Sequence, residues 1–157
     1  MDYRALSEKI TTRRSSLIEK SLSLILKQNQ GLADRYSQTE LKKSKRDLGY
    51  IFNYLAEAVY FQNEDIFLDF SLWLKQLFIN IGLGEALFYT TYTCVKQACQ
   101  HFFQGKELMY IMSLLERAIQ VNKTEAGVRG SFIIEDNKNS LYARQYLEYL
   151  LNYNKQE

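Results

Sequence analysis

NEDIFLDFSLWLKQLFINI, residues 63–81, is the stretch whose reading decides the fold. Ile66, Phe70, Trp73, Leu74, Leu77 and Ile81 recur mostly at three- and four-residue intervals, the period of one helix face. Leu68, Leu72 and Ile79 form a second apolar stripe on the opposite face. A surface helix keeps one side polar for water, so a helix apolar on two sides is buried among other elements or at a subunit interface. This segment is therefore expected at the centre of an all-α fold.

Working upstream, Ser37 followed by Glu40 is a capping-box signature, and a helix is expected from there to about Gln62. Its apolar face is Leu41, Leu48, Phe52, Leu55 and Val59. Ser44 falls in the same stripe and Lys45 at its edge, so a hydroxyl and an ammonium are carried toward the interior. Gly49, in mid-helix, costs roughly 1 kcal/mol against alanine, which points to the close approach of a neighbouring helix. An earlier helix, from about Thr12 to Asn29, carries Leu17, Ile18, Leu22, Ile25 and Leu26, with Gly31 just beyond it.

Downstream, Gly82 and Gly84 close the central helix. A fourth helix follows from about Glu85 to Phe103, with Phe88, Thr91, Tyr92, Val95, Cys99 and Phe102 on one side. A fifth, from Lys106 to about Val121, carries Leu108, Ile111, Met112, Leu115, Ala118 and Ile119. Residues 122–139 read as irregular, with Gly127-Val128-Arg129-Gly130 as a turn and Phe132-Ile133-Ile134 as a short extended run. A last helix beyond Ser140 places Tyr142, Tyr146, Tyr149, Leu150 and Tyr153 on one face, for packing or a dimer surface. Proline is absent and six of the seven glycines fall near expected helix ends, the punctuation of a helical chain.

A length of 157 residues suits one domain spanning 1–157. The net charge of +2 is too small to indicate nucleic acid by itself. It is uneven, because residues 1–50 hold 11 Lys/Arg against 6 Asp/Glu. The run Lys42-Lys43-Ser44-Lys45-Arg46 reads as a solvated helix face or as a phosphate contact, so a nucleic-acid-binding regulator is the alternative function. Gly127-x-x-Gly130 resembles the loop of single-strand-binding KH modules, but those need a strand-rich domain around it. Cys94 and Cys99 lie five apart on one helix, poorly placed for a disulfide, and are expected as free thiols. The first 14 residues are polar and no apolar run is long enough to span a membrane, so a cytoplasmic address is expected.

The chemistry of known enzyme constellations is missing. His101 is the sole histidine, which excludes histidine pairs, His/Cys zinc sets and two-histidine carboxylate triads. Cys94 sits two turns before it, too far for a nucleophile and base in hydrogen-bond contact. Glu57, Glu64, Asp65 and Asp69 cluster at a helix junction without the Glu-x-x-His repeats of di-iron bundles. There is no phosphate loop and no aspartate-rich isoprenoid motif. The chain is expected to be no enzyme and to hold no metal.

Helix order, the buried central helix and an aromatic-rich interior resemble the globin superfamily in its non-haem branches. Arg35-Tyr36 through Lys45-Arg46-Asp47-Leu48-Gly49-Tyr50 and on to Leu68-Asp69-Phe70-Ser71-Leu72-Trp73-Leu74 is similar to the globin-like sensor domains of Bacillus sporulation histidine kinases. It also resembles their plasmid-encoded sporulation-inhibitory relatives. Residues 43–50 are looser kin to phycobiliproteins, but the position that would carry the bilin cysteine is Ser44, so no thioether can form. Haem is excluded too, because residues 63–81, where a globin carries its proximal histidine, contain none.

The sensor-domain resemblance implies a homodimer that binds a fatty acid in an apolar tunnel, with chloride or another anion near by. The tunnel would be lined by Leu48, Phe52, Leu55, Phe70, Trp73, Leu74, Phe88, Tyr92 and Phe102. Ser44, Lys45 and His101 would meet the polar head or anion, with Tyr92 also near; by spacing alone each reads more readily as a satisfied core or edge residue. The implied function is inhibition of sporulation, by titrating the signal of a sensor histidine kinase or by pairing with it.

Overall fold

The computed structural model describes residues 1–124. Over that span the chain is all-helical, with α1 Tyr3–Thr12, α2 Arg14–Gln28, α3 Gln30–Arg35, α4 Gln38–Tyr60, α5 Glu64–Asn80, α6 Glu85–Phe102 and α7 Gly105–Thr124. The expected turn at Gly127-Val128-Arg129-Gly130, the run at Phe132-Ile133-Ile134 and the tyrosine ladder from Tyr142 lie outside the described residues.

The central helix is where the sequence puts it. α5 packs on α4, α6 and α7, and it buries Phe67, Leu68, Phe70, Leu72, Trp73, Leu74, Leu77 and Phe78 around most of its circumference. Ile79 and Ile81, assigned above to its apolar stripes, are instead exposed, because the helix runs out of partners at its C-terminal end. α2 bridges α4 and α6, and α6 closes against α7. Ser37 caps α4 as its spacing requires, its hydroxyl accepting from the Glu40 amide at 3.3 Å.

Two helices were not legible as such. α1 lies in the stretch read only as polar and charged, yet Leu6 and Ile10, one turn apart, are fully buried, and α1 packs on α4. Burial of two such side chains is worth about 1.5–3 kcal/mol each, enough to hold a ten-residue helix that would be marginal alone. Asp2 caps it through the Ala5 amide, and Lys9 pairs with Glu107 of α7 at 2.7 Å. α3 is a six-residue helix with no buried residue, and it places Gly31 inside a helix rather than after one.

Gly49 marks a close helix crossing. Arg14 of α2 lies across it, with Nε donating to the Gly49 carbonyl at 3.3 Å and to Asn53 Oδ1 at 2.8 Å. A methyl group on Gly49 would collide with the Arg14 guanidinium and would touch Ile18 Cδ1 at 3.4 Å. The guanidinium is the free end of a flexible side chain, so Gly49→Ala should change stability in urea unfolding by no more than about 1 kcal/mol, its helix propensity offsetting the displaced Arg14. Gly49→Leu has Ile18 in its way as well and should cost about 2 kcal/mol. Equal tolerance of both would mean that α2 and α4 are farther apart than this crossing requires.

Polar groups stitch the interior where α5 meets α7. Asn122 donates to Ser71 Oγ at 3.1 Å and to the Ala118 carbonyl at 2.7 Å. Lys75 is buried and donates to the Asn122 carbonyl at 2.9 Å, with Glu85 Oε1 3.5 Å away and the Tyr89 ring beneath its ammonium. A buried ammonium is tolerated because these groups replace its water. Cys94 and Cys99 are buried free thiols, and burial pushes the Cys99 thiol up to about 12. At neutral pH it is an inert thiol rather than a thiolate.

Candidate functional site

The apolar faces of α2, α4, α5 and α6 do not close completely on one another. They leave a cavity of about 50 Å³ lined by Leu22, Ile25, Tyr36, Ser44, Asp47, Leu48, Ile51, Leu74, Phe78, Leu83, Leu87 and Thr91. The arrangement follows from helix spacing. Ser44, Asp47, Leu48 and Ile51 stand at i, i+3, i+4 and i+7 on α4, and Leu74 and Phe78 are one turn apart on α5. Leu48, Ile51, Leu74, Phe78 and Thr91 are buried and form the floor. Tyr36, Ser44, Asp47 and Leu87 are half-buried and Leu83 is exposed, which places Tyr36, Ser44 and Asp47 toward the rim.

Of the expected tunnel residues, Leu48 and Leu74 line this cavity. Phe52, Leu55, Phe70, Trp73, Phe88 and Tyr92 are all buried in the same hydrophobic core but do not line it; their neighbours are one another and the other core side chains. Phe70 stacks on Tyr54 with ring centroids 4.2 Å apart, and Tyr92 lies 4.5 Å from Phe88 and 5.9 Å from Phe67. Phe102 is only partly buried, at the edge of the core, where its carbonyl accepts from Arg13. Of the expected polar groups, Ser44 lines the cavity. Lys45 is exposed and paired with Glu19 at 2.8 Å, and His101 is exposed in the last turn of α6 with its ring edge-on to Phe102. Neither of them lines it.

Asp47 is the group that sequence reading passed over. Three residues after Ser44 and one before Leu48, it belongs to the stripe already recognised, and that spacing is the signal that finds it. Burial raises its carboxyl from 3.8 to about 6, against the opposing pull of Arg46 and Lys43. Arg46 Nη2 is 3.4 Å from its Oδ1. Thr91, on the cavity floor, donates its hydroxyl to the Leu87 carbonyl at 2.7 Å and so keeps only acceptor capacity for a guest. Three buried hydroxyls, those of Ser21, Tyr89 and Tyr92, have no hydrogen-bond partner among the described residues.

The basic run on α4 does not stand as a free cationic face. Lys45 is paired with Glu19 and Arg46 with Asp47, which lowers its value as an anion contact. Among the described residues there is no group of three or more His, Cys, Asp or Glu side chains that could hold a metal ion, and no helix long and apolar enough to cross a membrane. Compared with protein-family models, with curated proteins and with solved structures, the chain matches none. The site therefore has to be read from its own geometry.

Proposed function

We propose that this chain is a non-catalytic, globin-like sensor domain that binds a fatty acid between α2, α4, α5 and α6. Through that ligand it would restrain sporulation, by titrating the signal of a sensor histidine kinase or by pairing with its sensor domain. The observation that carries the reading is the apolar cavity with its polar rim, in a helical core otherwise filled by aromatic and aliphatic side chains. The segment that resemblance assigns to a globin's proximal histidine supplies Leu74 and Phe78 to that cavity, a lining suited to an alkyl chain. The globin-like reading rests on the resemblance of residues 35–74 together with the all-helical fold. Homodimerisation and a bound halide rest on the family resemblance.

The size of the cavity sets a condition. At about 50 Å³ it is well under the roughly 300 Å³ at which small-molecule sites begin, so a long chain enters only as the helices part. α3 has no buried residue and packs chiefly on α2, which makes it the element that yields at least cost. Each methylene that follows gains about 0.8 kcal/mol, so a chain of moderate length offsets the opening. Native mass spectrometry followed by denaturing extraction tests the reading. A co-purifying lipid of defined mass on a dimer is expected, and a ligand-free monomer that resists added fatty acid would refute it.

A further inference from the structure

The cavity rim narrows what head group a ligand can carry, an inference that rests on the ligand-binding reading above. Among the described residues the lining holds one carboxyl, Asp47, and no lysine, arginine or histidine. The other polar atoms there are the hydroxyls of Ser44, Tyr36 and Thr91, and Thr91 has already spent its proton on Leu87. A carboxylate head set beside Asp47 would put two like charges together at a partly buried site, where they repel strongly. A head that donates a hydrogen bond meets the opposite situation, since a carboxylate acceptor makes its bond charge-assisted.

We propose that the cavity reads its ligand's head as a hydrogen-bond donor to Asp47. It would take an aliphatic alcohol, or a carboxylic acid in its protonated form, and turn away the carboxylate. Above about pH 6, where Asp47 is ionised, a fatty acid arriving as its anion therefore binds together with one proton from solvent. The charged or titratable groups near Asp47 are Arg46 and Lys43 on its own helix and Tyr36 from the α3–α4 link. From the other helices the cavity is lined by hydrocarbon and the Thr91 hydroxyl, so no base or cation lining it from α2, α5 or α6 competes for that proton. Burial keeps a proton on the Asp47 carboxyl up to about pH 6, so below that value Asp47 itself supplies the proton shared with an acid head, and above it the proton comes with the ligand.

The test uses the full chain and two probes matched to a small cavity, 1-hexanol and hexanoic acid, titrated by NMR at about pH 5 and about pH 8. Hexanol should bind at both, whereas hexanoic acid should bind at least about tenfold more weakly at the higher pH. In Asp47→Asn, checked for folding by circular dichroism, hexanol affinity at the higher pH should fall by about threefold to tenfold as the charge-assisted bond is lost. Hexanoic acid binding equally well or better at the higher pH would overturn the inference and leave the ligand-binding reading standing. So would hexanol binding to Asp47→Asn as tightly as to the parent. If neither probe binds at either pH, the cavity is no ligand site and both readings fall.

Discussion

Trp73→Ala should lower the unfolding free energy by about 3–5 kcal/mol in urea titration, the largest loss expected from any single truncation among the described residues. Trp73 is 1% exposed at the middle of α5, with the Phe70 ring 5.8 Å away, and its removal leaves a hole that neighbours fixed on three other helices fill only in part. Sequence reading places the same residue in a ligand tunnel, where its loss would abolish lipid uptake more than it unfolds the protein. The structure separates the two roles, because Trp73 does not line the cavity. Lipid uptake per folded molecule should accordingly survive in Trp73→Ala. Leu87→Trp is the converse experiment: Leu87 is half-buried at the rim, so a larger ring there should block uptake while stability is largely kept. Loss of uptake in Trp73→Ala, measured on the folded fraction, would return Trp73 to the ligand.

That separation shows how far a sequence can be read. The place of α5 at the centre was legible because apolar residues on two faces admit one outcome, and the α4 start was legible because a Ser-x-x-Glu cap is a local device. Gly49 was legible as a crossing point for the same reason, a cost that only a close neighbour explains. α1 was not, since Leu6 and Ile10 are sparse among charges and count only once α4 is known to cover them. The core was read well and the cavity poorly. Periodicity says which side chains turn inward, but whether a given one is met by another side chain or by space depends on helix crossings that no single helix encodes. Lys75 makes the point from the other side: a lysine on an apolar helix, its charge satisfied by the Asn122 carbonyl forty-seven residues away.

Asp47→Asn should stabilise the protein at neutral pH, against the usual expectation for removing a salt-bridged carboxylate. Burial raises the folded-state value to about 6 from an ordinary 3.8, so the folded protein holds this proton more tightly than the unfolded chain does. The stabilising contribution is then complete below pH 4 or so and is lost as the pH rises through about 6. Above that, the ionised carboxylate weighs against folding by about 2 kcal/mol, a figure that allows for its remaining contact with water and for Arg46. The amide keeps the shape and carries no charge. Urea titrations should therefore show parent and Asp47→Asn diverging between about pH 4 and pH 7, with the variant the more stable by about 1–2 kcal/mol at the upper end and the difference vanishing at the lower. A variant less stable than the parent at neutral pH would mean that the Arg46 pairing outweighs burial, and Asp47 would then be a carboxylate engaged by Arg46 more than by a ligand's head at the cavity rim.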